Sequence, residues 1–119
     1  ELVGPTKDVP AFWASTHIAC LPSRGGEGLP RSLIEAASCA RPVVTTDVPG
    51  CGDFVRDGVT GFVIREGSVE QLTARLRTLA EYASLRQRLG QAARALVIAE
   101  YTEQHAAETA SRAWRALAP

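Results

Sequence analysis

The sequence predicts an α/β fold: a parallel sheet flanked by helices, followed by a helical C-terminal tail. Three observations carry this. Before Gly67, short apolar runs alternate with helix-like stretches, the pattern of βαβ units. The runs are apolar throughout rather than alternating, as strands buried on both faces require. A glycine-rich turn separates the first clear strand from the helix after it. The expected sheet is Rossmann-like, and ligands of such open α/β sheets bind beyond the carboxyl ends of the strands, where this turn lies.

Leu2-Val3 reads as a strand remnant closed by Gly4-Pro5, and Asp8 as the cap of a short helix presenting Val9, Phe12 and Trp13. "HIACLPS" (17–23) is the first buried strand. Pro30 suits the first turn of a helix, where its missing N–H costs nothing. Leu33, Ala36 and Ala37 form that helix's apolar face, and it ends before Arg41-Pro42. "PVVTT" (42–46) is the next strand. "DVPGCGD" (47–53) is a loop leading to one helical turn through Phe54 and Val55, and "DGVTGFVI" (57–64) is a turn and a third strand. Beyond Gly67 the pattern is helical. Ser68 with Gln71 resembles a capping box, and Leu72, Leu76 and Leu79 follow at helical spacing. A second helix starts at Ser84 and is interrupted at Gly90. A third starts at Thr102 and ends in an apolar stripe with Trp114 and Leu117.

The 119 residues predict one domain. Lys+Arg and Asp+Glu number 13 each, so no net positive charge argues for nucleic-acid binding. The three cysteines lack C-x-x-C spacing and read as reduced thiols of a cytosolic protein. No apolar run reaches the roughly 20 residues of a membrane span. The start, "ELVG", reads as the continuation of a longer chain.

The chemistry concentrates in "SRGGEGLPRSLIEAAS" (23–38). A strand, a glycine-rich turn and a helix present free backbone N–H groups and the positive end of the helix, which together can hold a phosphate. The spacing is neither a Walker loop nor G-x-G-x-x-G, so glycine content alone favours a tight turn over phosphate binding. Glu27 and Glu35 lie eight positions apart, about 12 Å if helical throughout. Carboxylates accept hydrogen bonds from paired hydroxyls, so a hydroxyl–diphosphate–hydroxyl ligand fits that spacing. Spacing alone favours Glu35 as a solvated helix residue.

"EGLPRSLIE" (27–35) matches the E-x7-E motif of the group 1, family 4 retaining glycosyltransferases of GT-B fold. The run from His17 to Ile64 resembles that family from the fourth strand of its C-terminal, donor-binding domain to the last. "LRQRLGQAARALVIAEYTEQ" (85–104) is similar to its closing helices. The wording "GLPR" and "TTDVPGC" is similar to members that use UDP-linked N-acetylhexosamines or related sugars to build bacterial surface glycans.

The resemblance implies roles. Glu27 would contact the donor sugar near the reacting carbon, as the catalytic carboxylate. Gly26, Gly28 and Leu29 would bring backbone N–H groups to the sugar and phosphates. Ser32 and Leu33 would do so for the diphosphate and Glu35 would hold the ribose, while Arg31 would either face the phosphates or stand as an exposed basic residue of the first turn. It implies no cofactor and no metal. The implied partners are a nucleotide-sugar donor, a glycan or lipid-linked acceptor met at the inner membrane face, and the N-terminal acceptor domain, which this chain lacks. Without that domain and the first part of the donor domain, transfer by this chain alone is not expected. Two departures stand out: Ala40 replaces a usual glycine, so a left-handed helix end would be strained there, and Gly52-Asp53 replaces a usual Arg-Glu. A non-catalytic binding module, or a sugar-nucleotide epimerase or phosphorylase of the same architecture, are the rival readings. His17 and His105 read as core or surface residues, Cys39 and Cys51 as small buried residues rather than nucleophiles, and Asp47 as a loop cap. The terminal helix is expected to fold back or to mediate self-association.

Overall fold

The computed structural model describes residues 2–26 and 28–117. Its three strands, β1 (Ala19–Leu21), β2 (Val43–Thr46) and β3 (Gly61–Ile64), form one parallel sheet in the order β1-β2-β3. Ala19 lies opposite Val43, and Val43 opposite Gly61. The last pairing explains the glycine: a Cβ on Gly61 would stand 2.0 Å from the Val43 carbonyl oxygen.

Preceding the sheet, α1 (Val9–Ala14) is capped as expected, the Asp8 carboxylate accepting the Ala11 N–H at 3.1 Å. The crossovers are α2 (Arg31–Ser38) and the single turn α3 (Cys51–Phe54). Three longer helices follow: α4 (Val69–Glu81), α5 (Ala83–Glu100) and α6 (Glu103–Leu117).

Strand pleating divides the interior in two. Val43 joins Ala19, Leu33, Ala36, Ala37 and Val97 in a core beneath α2 and the second half of α5. Val44 joins Phe62, Ile64, Leu79 and Leu89 beneath α4 and the first half of α5. Helix α5 serves both because it crosses the amino end of β2. At the crossing, Gly90 packs so closely that a Cβ there would lie 2.1 Å from the Ala40 carbonyl oxygen. Gly90 therefore does not interrupt the helix, as its composition predicts; it is the contact point of a continuous one.

Other expectations are corrected. Leu2 and Val3 form no strand and are exposed, since no strand pairs with them among the described residues. The first strand is shorter than 17–23 because only Ala19–Leu21 pair with β2; His17 precedes it and is exposed. Ser68 Oγ accepts the Gln71 N–H at 3.2 Å, but Gln71 Oε1 accepts from the Arg65 N–H rather than closing the box on Ser68. Cys39 is only half-buried, whereas Cys51 is fully buried. Helix α6 buries no residue among those described and leaves Trp114 and Leu117 73% and 82% exposed, so it does not fold back onto the core.

The strained helix end is present. Ala40 has φ +58°, the one positive φ outside glycine among the described residues. The end of α2 is held there by the Ala40 N–H bond to Ala37 O at 2.9 Å and by the Arg94 guanidinium, which donates to Ser38 O. Arg41 Nε caps α1 at Trp13 O, 2.8 Å away, and Arg86 Nη1 caps α4 at Leu79 O, 2.7 Å away. Cations at helix carboxyl ends complement both the free carbonyls and the dipole.

Candidate functional site

The carboxyl ends of all three strands converge on the glycine loop, and side chains tie them together. β2 ends in two threonines with almost no exposure. Thr45 Oγ1 donates to Leu21 O at 2.9 Å and Thr46 Oγ1 to Ser23 O at 2.7 Å, so the chain leaving β1 keeps its carbonyls satisfied as it turns. Asp47 joins the ends of β2 and β3: its N–H donates to Ile64 O at 2.8 Å and its Oδ1 accepts the Glu66 N–H at 3.0 Å. That is the loop-capping role expected of an aspartate at this point. Glu66 closes the circuit, Oε1 accepting the N–H of Gly25 at 3.0 Å.

Within the loop, Gly25 adopts φ +80°, a left-handed conformation that only glycine enters freely. A Cβ on Gly26 would touch the Pro49 ring at 3.4 Å, whereas one on Gly28 would meet nothing within 4 Å. Gly28 and Leu29 are exposed, Leu29 by 67%. Glu27, the carboxylate assigned to the sugar, lies outside the described residues.

Pro30 is buried and stands at the cap of α2 without a side-chain hydrogen bond. Its carbonyl accepts the N–H groups of Leu33 at 3.0 Å and Ile34 at 3.1 Å. Among the described residues, the N–H groups of Arg31 and Ser32 find no acceptor, and both residues are exposed. The open donors of this helix end are therefore at Arg31 and Ser32. Leu33, grouped with Ser32 by sequence resemblance, has its N–H engaged and its side chain in the core. One turn on, Glu35 Oε1 lies 3.3 Å from Arg31 Nε, an exposed i,i+4 pair at the mouth of the helix. A pocket of about 220 Å³ opens on the α4 side of the same edge, lined by Arg24, Thr46, Gly67 and Ser68 among others, and does not include the start of α2. The Arg24 guanidinium forms no hydrogen bond or ion pair with described residues.

Away from this edge, partial burial pushes the Cys20 thiol above its ordinary pKa, although the residue as a whole is exposed on the outer strand. It is a neutral thiol at physiological pH.

The profile of the family described as glycosyl transferases group 1 matches residues 2–96. The chain belongs to that family. A capsular polysaccharide biosynthesis glycosyltransferase, CapM of Staphylococcus aureus, is 29% identical over 103 residues, covering 87% of this chain and 27% of the relative. Across the curated relatives it matches, the chain spans between 8% and 27% of their length. Among solved structures, a glycosyltransferase from Rickettsia africae superposes with a TM-score of 0.88 over 97% of this chain and 31% of its own, at 19% identity. That likeness gives the fold, the GT-B C-terminal domain. Anabaena HepE, solved in complex with UDP, aligns at 27% identity with a TM-score of 0.77, over 90% of this chain and 30% of its own.

The elements of this group 1 domain that sequence reading misses are the Thr45 and Thr46 hydroxyls, the Glu66 carboxylate and Arg24, whose guanidinium is unpaired among the described residues. For the threonines a signal exists: two hydroxyl residues end an otherwise apolar buried strand, where each needs an acceptor. Glu66 carries none, because its partner is 41 residues away in sequence.

Proposed function

We propose that this chain is the donor-binding half-site of a retaining glycosyltransferase. In this reading it binds a UDP-sugar for transfer to a glycan or lipid-linked acceptor in bacterial surface polysaccharide synthesis, on the cytoplasmic side of the membrane. The observation that carries the reading is the pair of N–H groups on Arg31 and Ser32, which find no acceptor among the described residues and belong to exposed residues where α2 leaves the carboxyl edge of a parallel sheet. Such a helix end stabilises a diphosphate through directed donors and its dipole. The UDP complex of HepE supports the choice of nucleotide, and the capsular polysaccharide biosynthesis role of CapM supports the class of product.

Glu35, half-buried and one turn along, is proposed to accept the ribose hydroxyls, with Arg31 between it and the phosphates. Glu27 is proposed at the donor sugar, with Gly26, Gly28 and Leu29 supplying backbone donors around it. Charge developing on the leaving diphosphate would be met by these fixed N–H dipoles and by cationic side chains, a preorganised electrostatic effect. The acceptor side of the reaction belongs to a second domain, so this chain is expected to bind a donor without transferring it.

The test is calorimetric titration of the chain with UDP, GDP and ADP, alongside Glu35→Ala. UDP should bind, and Glu35→Ala should weaken it about tenfold, the loss of a charge-assisted hydrogen bond. Failure of all three nucleotides to bind would refute the reading. Unaltered affinity in Glu35→Ala would remove that residue from the site.

A further inference from the structure

Glu66 puts a negative charge against the loop that leads into the proposed diphosphate site. Its Oε1 takes up the Gly25 N–H at 3.0 Å, a donor that would otherwise face solvent or ligand. The turn that presents this carboxylate is saturated with hydrogen bonds of its own. The Arg65 N–H donates to Gln71 Oε1 at 2.8 Å, the Glu66 N–H to Asp47 Oδ1 at 3.0 Å, and the Ser68 N–H to Arg65 O at 3.1 Å. Gly67, with φ +78°, turns the chain directly behind Glu66, and the Arg24 guanidinium reaches to within 4.0 Å of where a Gly67 Cβ would stand. Two consecutive loop residues, Arg24 and Gly25, thus meet one rigid turn. The described loop is also held by the Thr46 hydroxyl at Ser23 O, and Gly26 lies close to the Pro49 ring.

We propose that Glu66 is a positioning residue for donor binding: its carboxylate, held by the Asp47-anchored turn after β3, fixes Gly25 and thereby the backbone that leads through Gly26 toward the donor. The inference rests on the donor-site reading above. Near a diphosphate, the charge of Glu66 opposes binding while its hydrogen bond favours it by preorganising the loop, an entropic saving made before the ligand arrives. The two effects separate by substitution. Glutamine keeps an acceptor oxygen and removes the charge; alanine removes both.

UDP titrations of the wild-type chain, Glu66→Ala and Glu66→Gln test this, together with hydrogen exchange of the Gly25 amide followed by NMR. Glu66→Ala should lower UDP affinity roughly three- to tenfold, the range of one net hydrogen bond, and accelerate Gly25 exchange. Glu66→Gln should restore affinity to the wild-type level or above, with Gly25 again protected. Equal or tighter UDP binding by Glu66→Ala would overturn the proposal, marking Glu66 as a bystander or a competing anion. Equal losses in both variants would overturn it too, because the charge rather than the hydrogen bond would then matter. A wild-type chain that binds no UDP would refute the donor-site reading and this role with it. Wild-type binding that Glu66→Ala leaves intact would refute this role alone.

Discussion

Replacing Gly90 with alanine should destabilise the chain, against the sign that helix propensity assigns. In a helix interior, Gly→Ala is worth about 1 kcal/mol of stabilisation. Here the new methyl would lie 2.1 Å from Ala40 O, 2.9 Å from Ala40 C and 3.5 Å from Pro42 Cδ. Relieving the first contact means parting α5 from the 40–42 turn by about 1 Å. The opposing atoms are backbone, not the end of a flexible side chain, and the turn is already strained at Ala40. Overpacking of this kind costs about 3 kcal/mol, the upper end of its usual range, so the net loss should be roughly 2 kcal/mol after the propensity gain. Urea denaturation of the wild type, Gly90→Ala and the exposed neighbour Gln91→Ala measures it. Gln91→Ala should stay within about 0.5 kcal/mol of wild type, and the m-values should agree if compactness is unchanged. Gly90→Ala as stable as wild type, or more so, would refute the close crossing of α5 over the amino end of β2.

At the same turn, Ala40→Gly should stabilise by roughly 1 kcal/mol, the cost of a left-handed alanine less the added unfolded-state entropy of glycine; the urea midpoint checks it. Thr46→Val should cost about 1–2 kcal/mol by stripping the donor from Ser23 O, and should speed amide exchange in residues 23–26. Glu35→Ala should change stability by less than about 0.5 kcal/mol, since its pair with Arg31 is an exposed i,i+4 contact. Thermal or urea unfolding of that variant therefore separates any loss of UDP binding from a loss of fold.

Much of the fold could be read from local pattern. Val43 and Val44 are β-branched and apolar in succession, which marks a strand covered on both faces, and both are fully buried. Leu33, Ala36 and Ala37 sit at helical spacing and all enter the core. Asp8 and Thr102 are capping types at helix starts; each accepts the expected N–H, from Ala11 and His105. Gly90 was open to misreading because propensity describes an isolated helix, and its reason for being glycine is a carbonyl fifty residues earlier. The loop after β3 was harder still: Glu66 has the composition of a surface turn, and its distant partner leaves no periodic trace.

The candidate site divides in the same way. The order strand, glycine turn, Pro30 and helix is enough to expect free N–H groups at the start of α2, because helix termini always leave donors without internal partners. Which of them stay open depends on where the Pro30 carbonyl points. It takes Leu33 and Ile34, leaving Arg31 and Ser32 without an acceptor among the described residues. The ring of ties from Thr45 and Thr46 through Asp47 to Glu66 likewise exists only once three parallel strands end side by side. Alternation, capping and turn chemistry act over a few residues and are written into the order of side chains. The bracing of the loop, the crossing at Gly90 and the Arg94 tie to Ser38 join segments 20 to 60 positions apart, and only packing brings those together.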